Sequence, residues 1–386
     1  MKRALSGLLP PSRSEGEPAV SQALFQALAH VATDDPDALT HGFHTWPARM
    51  HRSVAATLLA ALDVPAGDVV DPFCGGGTVL IEARVRGRAA VGVDLNPLAL
   101  RVAEVKVDVR DQAARAAFAA HAEAVVTASK ARVKARTMAR APLSRDQVAR
   151  YDPHVLIELA GLREEILAVF DRRDRRALEV VLSAILTKVS RARSDTDERE
   201  QAKRIGRYIP TEIFAKKAAE LVERWAAFEA AVVKPPAPVV LHEHDALRLH
   251  EVVKPGSAAL LLSSPPYGGT YDYASHHAPR MPWLGLDDRA LERSELGARR
   301  RATPQSWDTD VSAMLRACAR ALAPQGIAVL VMGDAVLGGA RVAADRQLAR
   351  LAPGVGLRVV ASASAPRADH RGGADREEHL VALRRV

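Results

Sequence analysis

The chain has 386 residues, of which 48% are hydrophobic and 26% charged, with a formal net charge of +8. This length allows a full α/β domain with a further region attached, and no segment reaches the roughly 18 consecutive apolar residues of a membrane span. Two cysteines, Cys74 and Cys318, provide neither a disulfide framework nor a metal-ligand cluster. Without a signal-peptide core, the sequence predicts a soluble, cytoplasmic protein with no bound metal. The positive charge suits a polyanionic partner, although an arginine-rich composition explains it equally well.

The first part of the chain predicts an arm followed by a helix. Residues 1–40 are polar and interrupted by prolines, with one short amphipathic stretch over residues 20–31. We predict a loosely held N-terminal arm there. After the aromatic-rich segment 41–50, an apolar pattern predicts a helix over residues 51–63, which ends before Pro65.

A glycine-rich turn comes next. Residues 68–78, DVVDPFCGGGT, read as a short strand that breaks into three adjacent glycines, and a helix follows over residues 79–86. A second strand, residues 89–93, ends at Asp94. The glycines allow a ligand to approach the backbone closely, and an acid one strand later suits a ribose diol. The spacing departs from G-x-G-x-x-G, and Asp71 would repel a pyrophosphate but attract an ammonium group. The alternative is a tight turn with no ligand.

Residues 108–234 predict a helical insertion. They are rich in Ala, Leu, Arg and Glu and carry no strand signal, and the proline-rich linker 235–238 follows them. Basic residues concentrate at 130–150 and at 188–207. Each stretch is either a solvated helix face or a phosphate-contacting surface, and in the second stretch Ser and Thr interleaved with Arg fit phosphate positioning. The predicted nucleic-acid-binding residues of that stretch are Lys188, Arg191, Arg193 and Lys203.

Strands and helices alternate again after the linker. The predicted strands are residues 239–241, 258–262, 327–332, 357–361 and 378–383. Alternating β and α elements predict a parallel sheet with helices on both faces.

The strand at 258–262 runs into Ser264-Pro265-Pro266-Tyr267 and then into two glycines. Consecutive prolines fix φ at both positions and supply carbonyls without N–H groups. The strand end therefore presents rigid acceptors, a hydroxyl and an aromatic face, which suit a planar ring that carries an exocyclic amine. A loop or a proline-rich docking segment is the alternative.

These two motifs together resemble the class I S-adenosylmethionine-dependent methyltransferases. More narrowly, D-P-F-x-G-x-G-T followed by S-P-P-Y is similar to the DNA N4-cytosine/N6-adenine amino-methyltransferase family. Residues 41–50, HGFHTWPARM, also resemble the segment H-x-x-P-A-[KR]-[FM] of that family, and the whole resemblance covers about residues 40–104 and 238–386.

The resemblance implies an α/β fold with a Rossmann-like, seven-stranded methyltransferase sheet whose last strand is antiparallel. It divides the chain into the arm, 1–40, a catalytic domain formed by 41–107 and 238–386, and the helical insertion, 108–234, as a possible nucleic-acid-binding region.

The resemblance also implies S-adenosyl-L-methionine as the cofactor. Asp71 and the backbone of the glycine turn would hold its methionine part, Asp94 its ribose and Asp245 its adenine amino group. For Asp245 a helix N-cap is the alternative. The expected cofactor-binding residues are Phe43, Asp71, Phe73, Gly75, Gly77, Thr78, Asp94 and Asp245.

The expected catalytic residues are Ser264, Pro265, Pro266 and Tyr267. The Ser264 hydroxyl and the Pro265 carbonyl would accept the two N–H groups of an exocyclic amine and so localise its lone pair. Tyr267 would stack on a base rotated out of its helix. We expect residues 268–301 to form a mobile flap ordered by substrate, with Arg299 and Arg300 contacting phosphates.

Serine at the first position of this loop is typical of cytosine N4 enzymes, whereas aspartate is commonest in adenine N6 enzymes. The sequence therefore predicts methylation of cytosine N4 in DNA. The alternatives are a DNA adenine N6-methyltransferase and an RNA (tRNA or rRNA) base methyltransferase. A non-catalytic nucleic-acid-binding protein that kept the fold is the rival from another class. The sequence predicts neither a recognition site nor an oligomeric state.

Overall fold

The computed structural model describes residues 10–194, 197–201, 203–269, 272–297, 303–367 and 376–386. Its strands are β1 (Arg13–Gly16), β2 (Asp68–Asp71), β3 (Ala90–Asp94), β4 (Ala192–Ser194), β5 (Asp197–Glu200), β6 (Val239–Glu243), β7 (Ala258–Ser263), β8 (Leu322–Gly333), β9 (Ala335–Leu337), β10 (Ala340–Val342), β11 (Leu357–Arg367) and β12 (Arg376–Arg385). Its α-helices are α1 (Pro18–Ala29), α2 (Arg52–Ala61), α3 (Thr78–Val85), α4 (Pro97–Val107), α5 (Gln112–Ala135), α6 (Arg145–Val148), α7 (Pro153–Ala168), α8 (Arg172–Val189), α9 (Ile209–Ala231), α10 (Tyr273–His277), α11 (Met281–Leu284), α12 (Arg289–Ser294), α13 (Pro304–Ala321) and α14 (Ala344–Leu351). Three 3₁₀ segments cover His30–Ala32, Ala246–Glu251 and Ala352–Val355.

One large sheet organises the chain in the order β1-β11-β12-β8-β7-β2-β3-β6. Strands β6, β3, β2, β7 and β8 run parallel, and β12 lies antiparallel between β8 and β11. The central strand β7 is buried along its whole length, which explains its continuous apolar sequence. These features confirm the predicted α/β fold with a Rossmann-like sheet and an antiparallel last strand.

The order of the strands reverses between β2 and β7. From β2 the chain proceeds through β3 to β6 at one edge, and it then returns to β7 and continues to β8 on the other side. In open α/β sheets, such a switch point leaves a crevice at the carboxyl ends of the strands, and ligands bind there. Both sequence motifs follow these two strands directly.

The N-terminal segment differs from the loosely held arm predicted above. β1 adds an eighth strand to the sheet, because Arg13 to Gly16 pair antiparallel with β11. Helix α1 then buries Leu24 and Leu28 completely or almost completely in the main hydrophobic core. Its apolar residues recur with helical spacing, so one face of the helix can cover the sheet.

The region between α4 and β6 contains α5 to α9 and a short hairpin, β4–β5, where the sequence shows no strand signal. This region shares one buried cluster with the cleft side of the sheet. Trp225 of α9, Trp46 and Trp283 all belong to that cluster, and the Trp225 indole donates to the Val105 carbonyl at 2.9 Å. None of the described helices is both long enough and apolar enough to cross a membrane.

Candidate active site

A cleft lies at the switch point of the sheet. Its volume is about 930 Å³ when the open space at its entrance is included. Loops that follow β2, β3, β6 and β7 form its floor, and residues of α10, of α12 and of the segment directly after α12 form part of its wall. Eight residues predicted from sequence line it: Asp71, Phe73, Gly75, Thr78, Asp94, Asp245, Ser264 and Pro266.

Asp71 joins the two strands of the switch point. Its buried carboxylate accepts a hydrogen bond from the Ser263 hydroxyl at the end of β7, at 2.6 Å, and another from the Phe73 amide, at 3.2 Å. Burial raises the pKa of Asp71 to about 7, although both hydrogen bonds oppose the rise. The carboxylate is therefore poised for a cationic partner.

Asp94 ties the glycine turn to the end of β3. One carboxylate oxygen accepts from the Gly75 amide and the other from the Asn96 amide, each at 2.8 Å. Burial raises its pKa to about 6. Gly75 has φ of +47°, and a Cβ there would lie 2.9 Å from the Trp46 indole nitrogen. The turn therefore requires glycine at this position.

Asp245 is a cap and also lines the cleft, and its contact with the adenine amino group stays a prediction. Its carboxylate accepts from the Leu247 amide at 2.9 Å and so caps the 3₁₀ segment, while the residue also lines the cleft. Gly77 is different. With φ of +83°, it faces α4, where a Cβ would lie 3.1 Å from the Cβ of Ala103, and it is absent from the described lining of the cleft.

Phe43 does not lie at the cleft, contrary to the prediction. It is buried in the core shared with the helical region, and the Lys217 ammonium lies 4.7 Å from its ring centroid. The same segment presents Trp46, Arg49 and Met50 to the cleft instead. Because the segment is not a regular element, its sequence carries no periodicity that shows which side chains turn inward.

The predicted catalytic loop, residues 264–267, is only partly exposed to the cleft. Ser264 and Pro266 line it, whereas Pro265 and Tyr267 are buried. The Tyr267 phenol donates to the carboxylate of Glu378, which is fully buried on β12, and its ring packs against Gly333. The predicted stacking of Tyr267 on a base is therefore wrong for this conformation, because the side chain belongs to the core.

A histidine of segment 268–301, which was expected to form a flap, packs beside the cleft. His277 of α10 lies 4.3 Å from the Trp46 ring, and its Nδ1 lies 2.7 Å from Nδ2 of Asn96. The Asn96 carbonyl oxygen already accepts from the amides that begin α4, so its amide nitrogen donates to His277. Asn96 precedes Pro97 at a helix start, a sequence signal that could have identified it as a cap.

Glu295 also lines the cleft and was not predicted. It follows α12, and its carboxylate accepts from the Tyr273 amide at 2.5 Å and from the Ala274 amide at 3.4 Å. Burial raises its pKa to about 7, and the nearby Asp272 adds to the rise. No motif surrounds this residue, so nothing in the sequence around it indicated a role.

The predicted phosphate-binding residues have different environments. The Lys203 ammonium donates to the Thr187 and Ala192 carbonyls at 2.8 and 2.7 Å, and Arg191 pairs with Asp152 at 2.8 Å. The Lys203 ammonium is thus engaged within the helical region, which argues against a phosphate contact, whereas the Arg191 side chain is 42% exposed and its role stays a prediction. Lys188 and Arg193 are exposed, and Arg299 and Arg300 lie outside the described residues.

A second cluster of potential ligands lies on β12 and at the end of β8. Asp334, Glu377 and His379 place one ligand atom each within 4.8 Å of one another. Arg341 donates to Asp334, and Arg13 lies 3.3 Å from Glu377. Because the two arginines pair with the two carboxylates, we interpret the cluster as an ion-pair network.

Comparison with known proteins supports a methyltransferase. Residues 43–149 match the family profile described as UPF0020, the RMKL-like methyltransferase domain. This segment contains the glycine turn, Asp94 and the aromatic-rich segment before them. Among curated proteins, none matches the sequence of this chain. The match indicates a methyltransferase domain over residues 43–149, for which S-adenosylmethionine is the expected cofactor.

Solved structures with a similar fold include TrmN from Thermus thermophilus, at 12% identity and a TM-score of 0.34, covering 87% of this chain and 49% of that one. The chain thus spans about half the length of TrmN. The rRNA methyltransferase AviRa from Streptomyces viridochromogenes has 12% identity and a TM-score of 0.35, with 91% and 94% of the two chains covered. An S-adenosylmethionine-dependent methyltransferase from Methanosarcina mazei has 10% identity and a TM-score of 0.33, covering 85% and 96%. These likenesses concern the fold alone.

Proposed function

We propose that this chain transfers a methyl group from S-adenosylmethionine to an exocyclic amino group of a nucleobase in RNA. One observation carries the reaction class: the glycine turn after β2 and the Ser264–Pro266 loop after β7 line a single cleft at the switch point of the sheet. The match of residues 43–149 to a methyltransferase domain supports it.

The residues of the cleft fit this cofactor. Three carboxylates, Asp71, Asp94 and Asp245, line one cavity, and they suit an ammonium group, a ribose diol and an adenine amine. The glycine turn brings backbone close to the cavity because Gly75 has no side chain to meet Trp46. When bound, S-adenosylmethionine supplies an electrophilic methyl group that needs no metal.

The catalytic loop then acts on the amine of the substrate. An exocyclic amine is a poor nucleophile, because its lone pair is delocalised into the ring. The Ser264 hydroxyl and the Pro265 carbonyl accept its two N–H groups and localise the lone pair on nitrogen. Two adjacent prolines keep these acceptors rigid, and orientation of this kind is worth ~7–11 kcal/mol of the barrier in favourable cases.

The position of Tyr267 favours RNA over duplex DNA. Rotating a base out of a duplex costs a few kcal/mol, which stacking in the active site repays in part. Here the Tyr267 phenol donates a hydrogen bond to Glu378 and lies away from the cleft. A base that is already unpaired in an RNA loop avoids that cost. DNA cytosine N4 is the second candidate, and Ser264 at the first position of the loop is the observation that favours it.

Nucleoside mass spectrometry tests the proposal. The purified protein is incubated with isotope-labelled S-adenosylmethionine and, separately, with total RNA and genomic DNA from cells that lack the gene. We expect labelled N-methylated nucleosides from the RNA. Labelled N4-methylcytosine from DNA alone would favour the second candidate, and label in neither polymer would overturn the proposed activity.

Two variants separate cofactor binding from catalysis. Asp94→Ala should weaken cofactor affinity by roughly 1.5–3 kcal/mol, because charge-assisted hydrogen bonds to the ribose are removed. Ser264→Ala should slow methyl transfer while calorimetry shows unchanged cofactor affinity. Ser257→Ala, just before the other end of β7, is the matched control and should retain activity. A Ser264→Ala variant as fast as this control would remove Ser264 from the mechanism.

A further inference from the structure

Glu295 lies beside the chain that leaves the catalytic loop. The Gly269 amide donates to the Gly297 carbonyl at 3.0 Å, and a Cβ on Gly297 would lie 3.2 Å from the Cα of Gly268. Residues 268–269 therefore run next to residue 297, two positions after Glu295. Glu295 therefore lines the cleft from a segment that packs against the chain leaving the catalytic loop.

The Glu295 carboxylate is fixed in the wall of the cleft. The Tyr273 and Ala274 amides donate to its two oxygens at 2.5 and 3.4 Å. Both amides belong to the start of α10, and the Tyr273 side chain lines the same cleft. Two backbone donors therefore hold the carboxylate in place while the residue faces the cavity.

Glu295 is the carboxylate of the described cleft lining to which the proposed cofactor contacts assign no partner. The other three carboxylates of the described lining, Asp71, Asp94 and Asp245, are matched by groups of the cofactor. The loop has serine, not aspartate, at position 264, so it carries no anionic group that could accept a proton. An amine nitrogen that gains a methyl group must, however, lose one proton.

We propose that Glu295 is a catalytic residue, the base that accepts this proton. The inference rests on the proposed function. The lone pair of the amine nitrogen forms the new bond to the methyl carbon, and the carbon–sulfur bond breaks with its electron pair remaining on sulfur. As the nitrogen becomes tetrahedral, one N–H group leaves its acceptor in the catalytic loop and gives its proton to the Glu295 carboxylate, which releases it to water.

The surroundings of Glu295 suit a base that works near neutral pH. Burial and the neighbouring Asp272 raise its pKa to about 7, although the two amides oppose the rise. A base is most effective when its pKa is near the working pH. The other charged groups of the described cleft lining are Asp71, Asp94, Asp245 and Arg49, and Asp310 accepts from the Gly297 amide, two residues after Glu295.

Single-turnover methyl transfer at saturating cofactor tests the proposal, with total RNA from cells that lack the gene as the probe. Between pH 5.5 and 9, we expect the rate of the unsubstituted protein to rise with its midpoint near pH 7 and to level off roughly one pH unit higher. Glu295→Gln keeps the size of the side chain and should lower the plateau ~100-fold or more and abolish the rise. Glu292→Gln, on the exposed side of α12, is the matched control and should keep both.

Two further measurements test whether Glu295 is the titrating group. Asp272→Asn removes a like charge beside Glu295, so the rise should move to lower pH. Glu295→Gln should also raise the melting temperature at pH 8 more than at pH 5. The reason is that a raised carboxyl pKa in the folded state lowers stability as pH rises through that range. This measurement does not depend on enzymatic activity.

The outcomes separate this inference from the proposed function. A Glu295→Gln variant within twofold of the unsubstituted protein at every pH would overturn the inference alone. An unchanged pH profile in Asp272→Asn would do the same, because the titrating group would then not be Glu295. Absence of transfer by the unsubstituted protein to RNA and to DNA would overturn the proposed function and this inference with it.

Discussion

At the scale of single residues, the cleft contains several buried carboxylates. In the absence of a ligand, burial makes the ionised form of these groups unfavourable. Asp71 is the clearest case, because only 3% of its surface is exposed and its pKa is raised to about 7. The folded state holds a proton on Asp71 more tightly than the unfolded chain does. Stability therefore falls as pH rises from about 4 to 7, and a cationic ligand would recover it.

Asp71→Asn should separate stability from cofactor binding. One pKa unit corresponds to about 1.4 kcal/mol, so the variant should gain roughly 2–4 kcal/mol of unfolding free energy at pH 8 relative to its gain at pH 5. Cofactor affinity should fall at the same time, because the ammonium group loses its anionic partner. Denaturant unfolding at both pH values, together with calorimetry, measures the two effects.

Asp68→Asn, at the other end of β2, is the control for this experiment and should show neither effect. If the stability of Asp71→Asn changed equally at both pH values, the raised pKa of Asp71 would be contradicted.

At the scale of elements, the carboxyl end of α8 depends on an internal ammonium group. Lys203 donates to the Thr187 carbonyl in the last turn of α8 and to the Ala192 carbonyl in β4. Positive charge at a helix carboxyl end stabilises its unpaired carbonyls. The lysine therefore joins α8 to the hairpin, while Arg204 and Arg207 next to it in sequence remain exposed.

Salt dependence should distinguish these cations. Replacing Arg204 and Arg207 by alanine should reduce the slope of log affinity for RNA against log salt by about 0.7 for each phosphate that is no longer neutralised. Lys203→Ala should instead leave the slope unchanged and cost roughly 1–3 kcal/mol of stability, because carbonyls lose their donor. Lys254→Ala, at the amino end of β7 opposite the cleft, is the control for charge alone. An unchanged slope in the double variant would show that these arginines do not bind RNA.

At the scale of the whole molecule, the N-terminal segment completes the fold. β1 pairs with β11, and α1 packs on both β11 and α2. Leu24 has no exposed surface, whereas its neighbour Phe25 is 38% exposed. The segment therefore contributes to the core of the sheet.

Leu24→Ala should destabilise the protein by roughly 2–5 kcal/mol, the usual cost of emptying a core leucine site. Phe25→Ala removes a larger side chain from the surface of the same helix and should cost much less. Denaturant unfolding of both variants checks this. Equal and small decreases in stability would mean that the segment is held loosely after all.

Local patterns were enough to predict the parallel sheet and the two loops of the cleft. A buried strand is marked by its own apolar run, and a loop that follows it directly must emerge at the carboxyl edge of the sheet. For that reason Asp71, Asp94 and Ser264 could be assigned to one site from the sequence alone.

Other features required the tertiary structure, because each depends on a partner far away in the chain. Tyr267 is withdrawn from the cleft by Glu378, 111 residues later, and Phe43 turns toward a helical region that begins more than 60 residues after it. Lys203 was predicted as a phosphate contact from charge, but its nearest acceptors are backbone carbonyls. Glu295 reaches the cleft only because residues 268–269 pack beside residue 297. The sequence determined which loops lie at the carboxyl edge of the sheet, because each of them directly follows a recognisable buried strand. Packing between distant segments decided which side chains of those loops face the cavity.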